Sequence, residues 1–188
     1  MNYDVIIIGA GPGGIFAAYE LMQHKPDLKV AVFEAGHALH KRKCPIDGEK
    51  IKTCIGCKSC SIMSGFGGAG AFSDGKYNIT NDFGGTLYEY IGKKQALDLM
   101  KYVDNINMAY GGEATKMYST AGTRYKTICI QNDLHLLDAS VRHLGTDINY
   151  IVLGNLYAEL KEKADFFFDT PVDSVAVVDG GYEVMAKG

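Results

Sequence analysis

The chain has 188 residues, a length that accommodates one domain and leaves no room for a second full one at ordinary domain sizes. Apolar residues make up 47% and charged residues 22%, enough for a hydrophobic core and too little charge for a disordered chain. Nineteen Lys and Arg against 22 Asp and Glu leave a formal charge of −3, which offers no basic field for nucleic acid or an anionic membrane surface.

The opening Met1-Asn2-Tyr3-Asp4 holds no basic residue, and the apolar run from Val5 to Ile8 is too short for a signal-peptide core or a membrane span. A cytoplasmic location is therefore expected. Tyr3 to Ile8 is a β-branched run that stops at glycine, the pattern of a strand buried on both faces of a parallel sheet. From Gly13 to His24 the apolar positions Ile15, Ala18, Leu21 and Met22 recur at helical spacing, and Pro26-Asp27 closes the helix. Lys29 to Glu34 reads as a second strand. These three elements form a β–α–β unit.

Residues 35–86 show no clear period and hold most of the cysteines, so they read as a long structured excursion of functional character. Packing helices are expected over about 93–162. Ala96, Leu99, Met100, Val103 and Ile106 make one stripe, and Leu134, Leu137, Val141 and Leu144 make a second. A third helix follows Gly145, with Thr146 or Asp147 as N-cap and Ile148, Ile151, Val152, Leu156 and Leu160 facing the core. Thr127 to Ile130 looks strand-like, with Cys129 as a small buried hydrophobe. Phe166 to Phe168 reads as a buried strand. Val172 to Val178 and Tyr182 to Ala186 flank Asp179-Gly180-Gly181, a hairpin whose Asp-Gly supplies positive φ angles.

Gly9-Ala10-Gly11-Pro12-Gly13-Gly14 fits G-x-G-x-x-G directly between a strand and a helix. In such a loop Gly9 allows the tight turn, Gly11 lets the backbone approach a pyrophosphate, and Gly14 lets helix and sheet pack closely. The phosphates then meet the helix N-terminus, whose free N–H groups and dipole favour anions. Glu34, at the end of the second strand, is placed to accept the hydroxyls of an adenosine ribose. Its charge disfavours a 2′-phosphate, so FAD or NAD is expected ahead of NADP.

The stretch YDVIIIGAGPGG with Glu34 resembles the FAD-binding segment of the glutathione reductase-like two-domain flavoproteins. The string Gly65 to Lys76 (GFGGAGAFSDGK), with CxxCxxC before it and His143-Leu144-Gly145-Thr146-Asp147 after it, resembles the microbial family of FAD-dependent dehydrogenases. This resemblance runs through essentially the whole chain. It implies an α/β, Rossmann-like FAD/NAD(P)-binding fold with a parallel sheet plus a β-hairpin, FAD as cofactor, and one FAD-binding domain over 1–188. It also implies cofactor contacts from Ala35, Gly67, Gly68, Ala69, Ser73, Asp74, Gly75 and Lys76, and from the backbone of Val172 to adenine. Physically, the glycines between Gly65 and Gly75 let backbone approach a ligand, and Ser73 and Lys76 can donate to phosphate or flavin oxygens. Gly70 to Lys76 also approaches the P-loop pattern, but Tyr77 stands where a magnesium-binding Ser or Thr belongs, which excludes a nucleotide triphosphatase.

Cys54-x-x-Cys57-x-x-Cys60, with Cys44 upstream, has spacing that suits an iron–sulfur cluster or tetrahedral zinc. Redox-active thiols near the flavin and plain structural cysteines are the other readings of the same four residues. Arg42 either reaches the pyrophosphate or solvates a loop, and Lys41 and Lys43 read as solvated. His143 reads as a packing or hydrogen-bonding residue, with proton donation the alternative. No residue stands out as a catalytic acid or base. Flavoproteins of this kind return to the FAD domain with a second fingerprint ending in Gly-Asp. Nothing here matches it, so the chain is expected to be the N-terminal portion of a longer protein, with its C-terminal half on a further segment or a separate partner. The expected function is an FAD-dependent oxidoreductase acting on a small-molecule substrate or electron donor. A non-catalytic dinucleotide- or metal-binding electron-transfer module is the alternative, with a thiol–disulfide enzyme the third reading.

Overall fold

The computed structural model describes residues 1–187. The chain divides into two compact units, one formed by Met1–Phe72 with the segment from Leu153 onward, the other by Ser73–Val152. The boundary falls inside the expected 35–86 excursion.

The first unit opens with β1 (Val5–Ile8), α1 (Pro12–His24) and β2 (Val30–Phe33). The second unit holds β3 (Lys76–Ile79), α2 (Leu87–Ile91), α3 (Lys93–Asn107), β4 (Met117–Ser119), α4 (Tyr125–Gln131), β5 (Ser140–His143) and the first half of α5 (Gly145–Leu160). The chain then completes the first unit with β6 (Ala164–Phe167), β7 (Val172–Val178) and β8 (Gly181–Ala186).

In the first unit β1, β2 and β6 form a parallel sheet with β2 in the centre, Val5 facing Val30 and Val30 facing Ala164. Ala31 and Val32 are wholly buried, as a central strand requires. β1 differs from the expectation of burial on both faces: its residues are half-buried and Ile8 is 56% exposed. The reason is its position. Among the described residues β1 pairs only with β2, so it is an edge strand. Ile15 and Ala18 of α1 and Leu156 and Leu160 of α5 complete the core. Phe66 reaches into it from the excursion and is fully buried, edge-on to Tyr157, Phe166 and Phe168 with ring centroids 5.0, 5.9 and 6.3 Å away. Aromatic edge contacts of this kind add to the area they bury.

The β7–β8 hairpin forms where expected, but only Gly180 of its turn has positive φ. Asp179 keeps a negative angle, so glycine alone carries the turn.

The second unit contains an element the sequence reading did not foresee, an antiparallel sheet in the order β3-β5-β4. β5 lies within the expected helix of Leu134 to Leu144. Leu134 and Leu137 are exposed in irregular chain, and Ser140 to His143 instead complete a sheet between two neighbours. The expected strand around Cys129 is the short helix α4, with Cys129 only half-buried and Ile130 66% exposed. In α3, Ala96 and Ile106 are buried as expected, while Leu99 is 45% exposed. In α5, Val152, Leu156 and Leu160 are buried, but Ile151 is 51% exposed and Asn149 takes an inward position, accepting from the Tyr77 hydroxyl at 2.7 Å. Burial holds the Tyr77 hydroxyl above its ordinary pKa, with Asp104 adding to the shift. Asp104 receives Arg142 through two bonds of 2.7 and 2.9 Å, and Arg142 also donates to Thr115 O. No helix of the described residues is long and apolar enough to cross a membrane.

Candidate functional site

The glycine loop at the C-terminal end of β1 is held from three sides. Gly9 N–H donates to Phe33 O of β2 at 2.7 Å, and Ile15 N–H reaches back to Gly11 O at 2.9 Å, starting α1. Gly9 sits at φ 97°, in the region that favours glycine. A Cβ on Gly14 would strike the carbonyl of Gly9, so this position must stay bare for helix and strand to meet. Gly11 is different. A Cβ there would meet nothing within 4 Å, and its φ of −74° suits any residue, so its bareness serves no packing need within the chain. It is the N-cap of α1 without a side-chain cap, Pro12 follows, and no acid occupies the first turn. The helix therefore presents uncapped N–H groups and its positive dipole end to the open side of the loop.

Glu34 follows β2 and is buried. One carboxylate oxygen accepts from Ala10 N–H at 2.7 Å; the other accepts from Gly36 N–H at 2.8 Å and Gly65 N–H at 2.9 Å. An ionised carboxylate offers about four lone-pair positions, so roughly one remains for a ribose hydroxyl rather than the two expected. Glu34 thus ties the fingerprint, its own turn and the distant glycine string together. Ala35 lies beside it in that turn. The string itself closes on the fingerprint: Gly67 N–H donates to Ala10 O at 2.8 Å, and a Cβ on Gly68 would stand 3.3 Å from the Gly11 Cα. Gly68 and Ala69 belong to a 3₁₀ turn, Gly68–Phe72, that continues the string.

Arg42 is buried and makes the converse arrangement. Its Nε donates to Ser61 O at 2.9 Å, Nη1 to Phe66 O at 2.6 Å and Gly68 O at 2.8 Å, and Nη2 to Ile62 O at 2.9 Å. Its guanidinium carbon lies 4.8 Å from the centre of the Phe72 ring. Burial lowers its pKa, and Glu34 opposes that shift, leaving a charge fixed among carbonyls. Four of five donors are committed, so Arg42 does not solvate a loop; it shapes one.

The structure brings together Gly9, Ala10, Gly11, Pro12, Gly13, Gly14, Glu34, Ala35, Arg42, Gly67, Gly68 and Ala69 within the first unit. Val172 starts β7 of the same unit, opposite Ala186. Ser73, Asp74, Gly75 and Lys76 belong to the second unit. There Lys76 pairs with Asp74 at 2.6 Å and holds that carboxyl below its ordinary range, while Ser73 Oγ accepts from Gly75 N–H. A Cβ on Gly75 would stand 2.8 Å from Gly145 O, and Leu144 N–H donates to Gly75 O at 2.9 Å, so Gly75 must stay bare where the two strings meet. His143 ends β5 opposite Lys76. What the sequence reading missed is the structural employment of Glu34 and Arg42. Apart from Gly36, two residues from Glu34, and Ala10, 24 residues before it, their partners lie 19–31 residues further on, beyond any local pattern.

Among the described residues no group of three or more His, Cys, Asp or Glu side chains gathers to hold a metal ion. Cys44, Cys54, Cys57 and Cys60 are free thiols, with Cys54 and Cys57 exposed. The four cysteines do not fit an iron–sulfur cluster or zinc, and neither is carried further. Cys54→Ser and Cys57→Ser are each expected to change the unfolding free energy by less than about 0.5 kcal/mol in denaturant titration, the usual range for exposed positions.

Fold and loop together define a mixed α/β protein with a parallel sheet and a glycine-rich strand-to-helix turn of the dinucleotide-binding type. Residues 1–40 match the Thi4 family. The thiamine thiazole synthase of Yarrowia lipolytica is 60% identical over 35 residues, 19% of this chain and 11% of that protein. The thiamine thiazole synthase of Candida albicans is 56% identical over 32 residues, covering 17% and 9%. The crystal structure of Thermovibrio ammonificans THI4 superposes with a TM-score of 0.42 at 15% identity, over 97% of this chain and 45% of that one. The matched segments thus span about a tenth of the curated relatives, and the chain covers less than half of that solved structure. The family match, residues 1–40, takes in β1, α1 and β2. The dehydrogenase resemblance of residues 65–76 lies outside them.

Proposed function

We propose that this chain forms the adenine-dinucleotide cradle of an FAD-dependent oxidoreductase. The observation that carries the reading is the combination at Gly11: an uncapped helix N-terminus, a glycine with no packing reason to be glycine, and a buried carboxylate at the end of β2. In this reading Gly11, Gly13 and Gly14 offer backbone N–H groups to the pyrophosphate, and Glu34 accepts a ribose hydroxyl with its remaining lone pair. Val172 offers backbone polar atoms toward adenine. Bound flavin supplies a two-electron acceptor for hydride from an organic substrate. The chain's own residues bind and orient; none of them is assigned as an acid or base. The Thi4 family match covers only residues 1–40, which include the glycine loop and Glu34, so it supports the cradle and names no reaction.

FAD titration onto the folded protein, read by flavin fluorescence, tests this reading. Saturable binding of FAD in preference to NAD supports it, and tight NAD binding without FAD binding overturns the flavin assignment. Gly11→Ala separates ligand binding from folding. Loss of the glycine cap costs about 1 kcal/mol at most, about 2–4 °C in melting temperature for a chain of this size. The methyl fills the space the pyrophosphate needs, and FAD affinity falls by about tenfold or more, equivalent to one lost charge-assisted hydrogen bond.

A further inference from the structure

The four cysteines before the glycine string take no part in the cofactor cradle, and the fold sets two of them apart. Residues 42–60 form neither helix nor strand. Cys57 is exposed on this segment, and Cys60 is half-buried at its end. The chain bends at Lys58 and again at Ser59, so Cys57 and Cys60 stand on the two arms of a bend. Between Cys54 and Cys57 it runs without one, and Cys44 lies ten residues outside the run. A disulfide needs Cα atoms within about 4.4–6.8 Å, whereas three extended residues span about 10 Å. The bend therefore favours Cys57 with Cys60 over Cys54 with Cys57.

The two positions are also unequally fixed. Cys60 O accepts from Met63 N–H at 3.0 Å and from Ser64 N–H at 2.8 Å, closing a turn. Arg42 binds the next two carbonyls of that turn, Ser61 O and Ile62 O, each at 2.9 Å, and Ser61 is buried. Cys60 thus stands on a fixed base, while Cys57 stands in exposed, irregular chain that an outside reagent can reach. The surrounding charge is of one sign. Lys50, Lys52 and Lys58 are exposed, and no Asp or Glu occurs from 50 to 64. Burial lowers the Arg42 pKa, and Glu34 and then Cys60 oppose that shift, so the Cys60 sulfur interacts with the guanidinium charge. Such a surface draws in an anionic reagent.

We infer that Cys57 and Cys60 are a redox couple that exchanges with an anionic, low-molecular-weight disulfide of the glutathione class. The Cys57 thiolate attacks one sulfur of the external disulfide, whose S–S bond breaks and releases one thiolate. The Cys60 thiolate then attacks the Cys57 sulfur of the mixed disulfide and expels the second thiolate. Two protein thiols are oxidised to one disulfide, the external disulfide is reduced to two thiols, and the two protons pass to the leaving thiolates. No flavin enters these steps, so the inference stands or falls apart from the FAD reading.

The test equilibrates the reduced full chain, without air, in mixtures of oxidised and reduced glutathione, traps remaining thiols by alkylation and maps the peptides by mass spectrometry. A Cys57–Cys60 disulfide is expected in the parent and in Cys54→Ser, reversed by dithiothreitol, at ratios where Cys54 stays mostly a thiol. Cys60→Ser lacks the second thiolate, stops at the mixed disulfide on Cys57 and accumulates it about tenfold or more above the parent. Cys60→Ala repeats that arm with no hydroxyl in the half-buried position. Cys57→Ser, which removes the exposed thiol, oxidises Cys60 more slowly than the parent by about tenfold or more. A bridge between any other pair in the parent overturns the assignment. So do equal glutathione adducts on Cys54, Cys57 and Cys60, parental levels of mixed disulfide in both Cys60 variants, or no protein disulfide at any glutathione ratio.

Discussion

Glu34→Gln lowers the melting temperature by about 4–16 °C, and on the proposed reading it also abolishes FAD retention. The buried carboxylate accepts three backbone N–H groups, from Ala10, Gly36 and Gly65. Glutamine keeps one carbonyl oxygen and turns an NH₂ toward donors, so at least one N–H loses its acceptor and another faces a like group. Leaving buried donors unsatisfied costs about 2–4 kcal/mol, which is about 2–4 °C per kcal/mol for a chain of this length. Glu34→Asp, which keeps the charge and shortens the reach, recovers part of the loss. Differential scanning calorimetry gives the stability and flavin released on denaturation gives the retention. A Glu34→Gln protein that melts like the parent would remove the carboxylate from its structural role, and one that also keeps FAD would remove it from the site.

The two effects can be told apart. Gly11→Ala is expected to weaken FAD with little loss of stability, because no atom of the chain approaches the new methyl. Glu34→Gln is expected to lose both. A loop that served only as a turn would leave FAD affinity unchanged in Gly11→Ala, since nothing would occupy the space above Gly11.

This contrast also explains what could be read from the sequence. The β1–α1–β2 unit was legible because its signals are local: an apolar run that stops at Gly9, a glycine pattern of fixed spacing, and a helical period that ends at Pro26. The hairpin was legible for the same reason, although the angle at Asp179 was not. Helix and strand were confused at 134–144, where Leu134, Leu137, Val141 and Leu144 fit a 3.6 period while Ser140 to His143 fit an antiparallel ladder. Pairing with β3 and β4 decided it, and both partners are remote in sequence. β1 was expected to be buried on both faces, because composition records what a strand tolerates and not how many neighbours it has. Glu34 was recognised as a site residue, yet two of its three backbone partners, Ala10 and Gly65, lie 24 and 31 residues away. The cysteine spacing suggested a metal that the folded positions do not gather. Spacing places ligands along the chain, and only the fold places them around a point.

Arg42→Met is the second large effect, and its readout is local order more than global melting. The guanidinium joins the carbonyls of Ser61, Ile62, Phe66 and Gly68, so a single side chain gathers the loop that precedes the glycine string and the string itself. Methionine fills much of the volume and leaves four carbonyls without their donor. Charge-assisted hydrogen bonds are worth about 1.5–3 kcal/mol each but do not add, so the loss is about 3–5 kcal/mol. Arg42→Lys recovers little, because one ammonium with three donors cannot span four carbonyls held in a planar fork. Hydrogen exchange should show amides of residues 60–70 opening faster in Arg42→Met by a factor of about 100 or more, with β2 and β7 changed far less. Because Gly67 N–H closes on Ala10 O, the fingerprint loop should loosen with the string, and FAD affinity should fall although Arg42 has almost no donor left to offer the cofactor. Exchange rates at 60–70 that match the parent would show that the aromatic packing of Phe66 alone holds the loop in place.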